Sequence, residues 1–350
     1  MKLDAVFQGR PQEAAAEARR LDSLGLNGMW SFDTGHNPFM PLLLAAEHST
    51  RLQLGTGVAV ALARSPMTLA QEAWDLASFS GGRFTLGLGS QVQAHIVRRF
   101  SMRWDNPVEQ MRDMVGALRA IFAAFQTGGR LSYEGPYYQH TLLTPFFSPG
   151  PSEHPDIPIV LAGVGKRMTR LAGEVADGYM LHAFTCPSYV NQVTWPALQA
   201  GLEKAGRARD GFEVVAPVFI ITGDDSTRAM LERKVREQIA FYGSTPAYKE
   251  VLASLGREDL ACELHALSRK GEWEAMGRLV SDDLIEQFAV RASLEELPHR
   301  LLDRWGGIAD RLVAHFPLPD QYAEAIRRCS ELLAAGSPAS GRDRASLCQD

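Results

Sequence analysis

Cysteine is scarce in this chain of 350 residues, and the four present, Cys186, Cys262, Cys329 and Cys348, stand far apart with no CxxC pair. That spacing argues against a disulfide framework and a structural zinc site, and it fits a reducing compartment. There is no HExxH motif and no His/carboxylate pair at ligand spacing, so no metal site is expected. No apolar run approaches the roughly 20 residues that a membrane span needs. The opening residues, MKLDAVFQGRPQ, lack a long apolar stretch. A secretory signal is therefore not expected, and a soluble, cytoplasmic protein is. Basic runs are missing as well. The 36 Lys and Arg against 41 Asp and Glu leave a net charge of −5, a poor balance for binding nucleic acid. The turn Gln8-Gly9-Arg10-Pro11 after the first apolar run lacks a GxGxxG fingerprint, which weakens an open doubly wound dinucleotide fold.

What is present is a regular alternation of strand and helix signals, in a chain that is 45% apolar and can build a large core. Strand-like runs fall at Leu3–Gln8, Gly28–Phe32, Leu52–Ala61, Phe84–Leu88, Ile157–Leu161, Tyr179–His182, Glu213–Thr222 and Arg311–Phe316. Helical patterns separate them, among them Pro11–Leu24, Pro41–Ser49, Met67–Phe79, Pro107–Phe125, Lys166–Val175 and Pro187–Lys204. Eight strands alternating with helices predict an α/β fold, a (β/α)8 TIM barrel. Residues 1–335 are expected to form one domain. Insertions at about 127–156, with a small hairpin, and at 246–304, with several short helices, are expected at the C-terminal face. Residues 336–350 are expected to be a disordered tail.

The richest stretch is Val160–Met180, VLAGVGKRMTRLAGEVADGYM. A short strand runs through Ala162-Gly163-Val164-Gly165 into a helix beginning at Lys166. Two glycines ahead of a helix allow a ligand close to the backbone. The helix's free N–H groups and dipole favour an anion. Lys166 and Arg167 add positive charge. The segment reads as a phosphate cradle.

Barrel chemistry sits where strands end. Asp33 and His36 follow the second strand, Ser90, Gln91 and His95 the fourth, His182 closes the sixth and His315 the eighth. Four histidines near the ends of even-numbered strands suit proton transfer or the orienting of a carbonyl or hydroxyl. They fit equally a set of separate loop histidines bonded locally. Gly55 and Gly57 in the third strand mark either a ligand's approach or a close helix contact, and the first is preferred. Trp30, Phe39, Trp104 and Phe184 are candidates for a substrate pocket, or for ordinary packing.

Taken in order, Gly55-Thr56-Gly57-Val58, Arg64-Ser65-Pro66, Ser80-Gly81-Gly82-Arg83-Phe84 and Leu86-Gly87-Leu88-Gly89 resemble the bacterial luciferase-like flavin and deazaflavin enzymes. Leu171-Ala172-Gly173 with Ala176-Asp177-Gly178 continues the resemblance, which runs from residue 3 to about 330. Phe241-Tyr242-Gly243-Ser244-Thr245-Pro246-Ala247-Tyr248 is similar to the branch that uses coenzyme F420. The resemblance implies a bulge with a non-prolyl cis peptide at Gly57-Val58, backing the cofactor's tricyclic ring. It implies phosphate contacts at Gly163, Val164, Gly165 and the helix start, with Lys166 and Arg167 placed to meet the glutamate tail. Ser90 and Gln91 match polar contacts after the fourth strand. Asp33 and His36 match an acid–His pair only loosely, because Thr34-Gly35 separates them. Relatives that oxidise a sugar phosphate carry a Glu just after the fourth strand, where this chain has Val92.

The resulting expectation is an F420-dependent oxidoreductase that moves a hydride between the deazaflavin C5 and a small organic substrate. His36 and His182 are the candidate catalytic residues, and Asp33 the group that sets the tautomer of His36. The alternatives are an FMN-dependent monooxygenase, a non-catalytic deazaflavin-binding protein, and a phosphate-binding lyase or isomerase. A homodimer is expected from the resemblance.

Overall fold

The computed structural model describes residues 1–336. Of the tail assigned to 336–350, all but Gly336 lies outside the described residues, as does Cys348. Cys186, Cys262 and Cys329 are free thiols.

Eight parallel strands, numbered here in chain order, close on themselves: β1 (Lys2–Phe7), β2 (Gly28–Ser31), β3 (Gln53–Thr56), β4 (Phe84–Gly89), β5 (Ile159–Ala162), β6 (Gly178–Met180), β7 (Glu213–Ile221) and β8 (Arg311–Ala314). Each pairs with its neighbour in sequence. The pairing of β8 with β1, through Lys2↔Arg311 to Ala5↔Ala314, completes the ring. The barrel helices are α1 (Ala14–Ser23), α2 (Phe39–His48), α3 (Pro66–Phe79), α4 (Pro107–Thr127), α5 (Lys166–Val175), α6 (Trp195–Lys204), α7 (Asp225–Gly243) and α8 (Ala323–Ala335). Their starts follow local chemistry. Ser65 accepts the Thr68 N–H ahead of α3, whose first residue is Pro66. Asp224 accepts the Thr227 N–H in the same way ahead of α7.

The helices pack around the outside of the sheet in one large apolar cluster. A second cluster, including Phe184, Tyr189, Phe219, Leu264 and Phe288, lies under the 246–304 block. That block is tied to the rim by a short strand absent from the sequence expectation. Ala289–Arg291 pairs in parallel with Phe219–Ile221, the part of β7 that rises beyond its neighbours. The other excursion, 127–156, packs along the flank of α4 rather than over the barrel mouth. The Asp113 carboxylate of α4 accepts the Tyr133 hydroxyl at 2.6 Å and the backbone N–H groups of Tyr137 and Tyr138 at 2.7 and 2.8 Å. The hairpin within it joins Tyr133–Glu134 to Gln139–His140. Among the described residues no helix is long and apolar enough to cross a membrane.

Candidate functional site

Alternate residues of a barrel strand face its interior. Val6, Trp30, Val160, Met180, Val215 and Val313 fill it as one cluster. Two residues further along their strands stand Phe32, Ala162, His182 and His315. These form the floor of the barrel's C-terminal mouth. Phe32 and Ala162 pack on the interior cluster, as does Val58. His315 meets Phe32 with ring centroids 5.8 Å apart.

Trp30 is therefore barrel core and not part of a pocket. Its Nε1–H donates to Asp4 at 2.8 Å, and Asp4 also accepts two bonds from Arg311, at 2.6 and 2.8 Å. Phe184 is core too, stacked on Phe288 at 4.6 Å. Phe39 is buried against Phe84, and Trp104 packs against the outer apolar cluster. For all four aromatics the packing reading holds.

The β3–β5 side of the mouth carries the features of a ligand cradle. The chain leaves β3 at Thr56, whose hydroxyl donates to the Gly87 carbonyl at 2.6 Å. It then bulges through Gly57-Val58, joined by a cis peptide, and rejoins the sheet at Ala59-Val60 beside β4. Glycines of β4 admit this bulge. A Cβ on Gly87 would lie 1.9 Å from the Thr56 carbonyl oxygen. Gly57 and Val58 are half-buried and face the mouth.

Across β4, the loop after β5 turns its polar groups in a defined direction. The Tyr179 hydroxyl donates to the Gly163 carbonyl, and the Tyr189 hydroxyl to the Val164 carbonyl at 3.4 Å. Thr169 Oγ1 lies 2.9 Å from the Tyr179 oxygen. Burial pushes the Tyr189 phenol up to about 12 and raises Tyr179 as well, so both remain donors. With its carbonyls held inward, the loop leads into α5 at Gly165, where no side chain caps the helix. Gly165 has open space around it, and Lys166 and Arg167 are exposed beside it. Free N–H groups, open space and two cations fit a phosphate group. Ser90 and Gln91 continue from β4 between the two features. Gln91 adopts a left-handed φ of 61°, with its side chain accepting the Val92 N–H at 3.0 Å.

The histidines divide. His36 is exposed, on the loop after β2. His95 is exposed in a single helical turn. His182 and His315 are on the floor. Burial, and then the proximity of His315, push the His182 pKa down to about 3; burial alone pushes that of His315 down to about 4. Both are neutral at neutral pH. His182 Nδ1 accepts the Phe184 N–H at 3.0 Å, which fixes the proton on Nε2. Tyr242 and Tyr248 stand against its ring at 4.6 and 4.5 Å.

Asp33 does not bond to His36. Its carboxylate accepts the Val60 N–H at 2.9 Å and pairs with Arg64 at 2.5 Å. It anchors the return from the bulge. The sequence names Arg64 within its motif, but pairing across 31 residues has no local signature. Tyr179 and Tyr189 were likewise hidden, since only the folded helix and loop bring them to the cradle.

The sequence profile of the luciferase-like monooxygenase family matches residues 4–311. The chain belongs to that family. An uncharacterized protein of Mycobacterium tuberculosis is 46% identical over 322 residues, 92% of this chain and 95% of its own length. An F420-dependent glucose-6-phosphate dehydrogenase of Nakamurella multipartita is 30% identical over 275 residues, 77% of each chain. The structure of the coenzyme F420-dependent tetrahydromethanopterin reductase of Methanopyrus kandleri shares the barrel with a TM-score of 0.79, at 20% identity, covering 95% of this chain and 98% of that one.

This luciferase-like chain has no carboxylate directly after Gln91. Val92 is half-buried there, and the following Gln93 and Ala94 are exposed and uncharged. Among the described residues, no group of three or more His, Cys, Asp or Glu side chains could hold a metal ion.

Proposed function

We propose that this protein is an F420-dependent oxidoreductase that passes a hydride between the deazaflavin and a small organic substrate. The observation that carries the reading is the placement of the Gly57-Val58 bulge and the Gly163–Arg167 cradle on either side of β4. Gly89 lies under Val58 on one side and pairs with Ala162 on the other. One ligand with a flat ring and a phosphate can touch both. The relatives that use F420 support the choice of cofactor.

When bound, the cofactor supplies the hydride chemistry. The chain's own residues do the rest. Gly57 and Val58 would back the ring. The backbone N–H groups from Gly165 onward would hold the phosphate, with Lys166 and Arg167 beside its charge, and Ser90 and Gln91, between bulge and cradle, would supply polar contacts. His182 presents Nε2–H to the mouth as a neutral donor. His36, exposed on the loop after β2, would orient the substrate or exchange its proton.

The test is a titration of the purified protein with F420 and with FMN, followed by tryptophan fluorescence. Tighter binding of F420 supports the reading. Tighter binding of FMN moves the protein to monooxygenase chemistry, and binding of neither removes the flavin-type site.

A further inference from the structure

The side of the mouth away from the cradle holds a second concavity. A groove of about 640 Å³ opens between the loops that follow β1 and β8 and is lined by Val6, Phe7, Glu13, His315, Phe316 and Leu318, among others. Val6, Phe7, Phe316 and Leu318 give it apolar lining, and His315 is a buried polar residue beside them. The imidazole is 97% buried, being 3% exposed, and its Nδ1 has no hydrogen-bond partner among the described residues. Phe219, Phe316 and Phe32 surround the ring at 4.9, 5.1 and 5.8 Å. A buried polar group without a partner costs stability, and because His315 lines the concavity, a ligand seated there can offer its imidazole a hydrogen bond.

The groove's charges narrow the ligand further. Its lining carries three carboxylates, Glu13, Glu17 and Asp320, against one guanidinium, Arg20. That guanidinium is taken by Glu17 at 2.7 Å and Asp320 at 2.6 Å. Arg10, next to the rim, is taken by Glu13 at 2.7 Å. Among the described residues that line it, no cation is left to receive a phosphate or carboxylate. Such a wall repels anions and accepts an apolar body with a neutral oxygen.

We propose that this groove is the substrate's place, that His315 hydrogen-bonds the oxygen of an uncharged carbonyl compound or alcohol, and that phosphorylated substrates are excluded. The proposal deepens the oxidoreductase reading and rests on it: the cofactor takes the β3–β5 side, and the substrate the β8–β1 side.

The test uses the full chain, with and without F420. Cyclohexanone is the uncharged probe and glucose 6-phosphate the anionic comparator, with binding read by saturation-transfer NMR. The wild-type protein is expected to bind cyclohexanone and to ignore glucose 6-phosphate. His315→Phe places a ring among three rings and is expected to fold. It should weaken cyclohexanone binding by about tenfold or more, while His315→Gln stays within about threefold of wild type, and F420 affinity is unchanged in both. Should His315→Phe fail to fold, Glu13→Lys on the exposed rim supplies the second arm: it is expected to admit glucose 6-phosphate. Cyclohexanone affinity that is equal in the wild type and His315→Phe overturns the proposal. So does an absence of cyclohexanone binding, a preference for glucose 6-phosphate, or its continued exclusion by Glu13→Lys. Failure of F420 to bind refutes the functional reading separately, because the ketone arm is also read on the unloaded chain.

Discussion

Val58 occupies the space that a side chain on Gly89 would need: a Cβ at Gly89 would lie 2.6 Å from Val58 Cγ2. The bulge that lifts Val58 into the mouth and the glycine beneath it are one unit. Gly89→Ala must push Val58 toward the cofactor's ring. The expected outcome is a loss of F420 affinity of about tenfold, with a thermal midpoint close to wild type, because the Val58 side chain can give way. Gly87→Ala is different. Its Cβ would meet the Thr56 carbonyl oxygen at 1.9 Å, and backbone cannot yield cheaply. A destabilisation of about 3 kcal/mol is expected, measured by denaturant unfolding.

The cradle depends on hydroxyls that hold its carbonyls. Tyr179→Phe removes the donor to Gly163 and the partner of Thr169 inside a buried site. A cost of about 1–3 kcal/mol in stability is expected, together with weaker F420 binding. Tyr189→Phe loses only a 3.4 Å contact and should cost less on both readouts. Equal effects of the two variants would contradict this division.

Asp33 and His36 should separate cleanly. Asp33→Asn removes the charge of a pair whose carboxylate side chain is only 5% exposed and leaves the Arg64 guanidinium without its counter-ion. A loss of about 3 kcal/mol is expected by thermal or denaturant unfolding. His36→Ala removes an exposed ring and should leave stability unchanged while lowering turnover. A His36→Ala protein with intact turnover would end its catalytic assignment.

Acid should destabilise the fold through its floor. His182 and His315 are held neutral, with pKa values down to about 3 and about 4, against roughly 6.5 for an unfolded histidine. Between those values the unfolded chain binds more protons than the folded one, so stability rises with pH. Their contribution is complete above about pH 6.5 and is lost as pH falls toward 4 and then 3. Each group accounts for at most about 1.4 kcal/mol per pH unit in that window. His315→Phe should show a smaller drop in melting temperature from pH 7 to pH 4.5 than the wild type. An equal drop would mean that His315 is protonated in the fold.

Much of this architecture was legible in the sequence, since each barrel strand is a short apolar run closed by turn residues. Lys166–Val175 was found at its observed bounds, because glycine precedes it and the Ala176-Asp177-Gly178 turn follows. Ala289–Arg291 was missed: three residues carry no period, and only the overhang of β7 makes them a strand. The glycines of β3 announced a close approach, although the neighbour that requires Gly55 is the Trp30 ring, 2.4 Å from where its Cβ would be. Trp30 and Phe184 were candidates for the pocket because aromatic residues look alike in a sequence whether they line a site or fill a core. Depth decides. Asp4 and Arg311, 307 residues apart, draw the Trp30 indole below the floor, whereas Phe32, two residues on, reaches it. The same alternation separates His182 and His315 from His36 and His95, which a count of histidines at strand ends treats as equals.

The central claim is that the bulge and the cradle hold one cofactor between them. A crystal structure of the protein soaked with F420 tests it most directly. The ring is predicted on Gly57-Val58, with the phosphate at Gly163–Arg167 and the free face toward His182 and the β8–β1 groove. Density for F420 elsewhere, or a phosphate that leaves the start of α5 untouched, would contradict it.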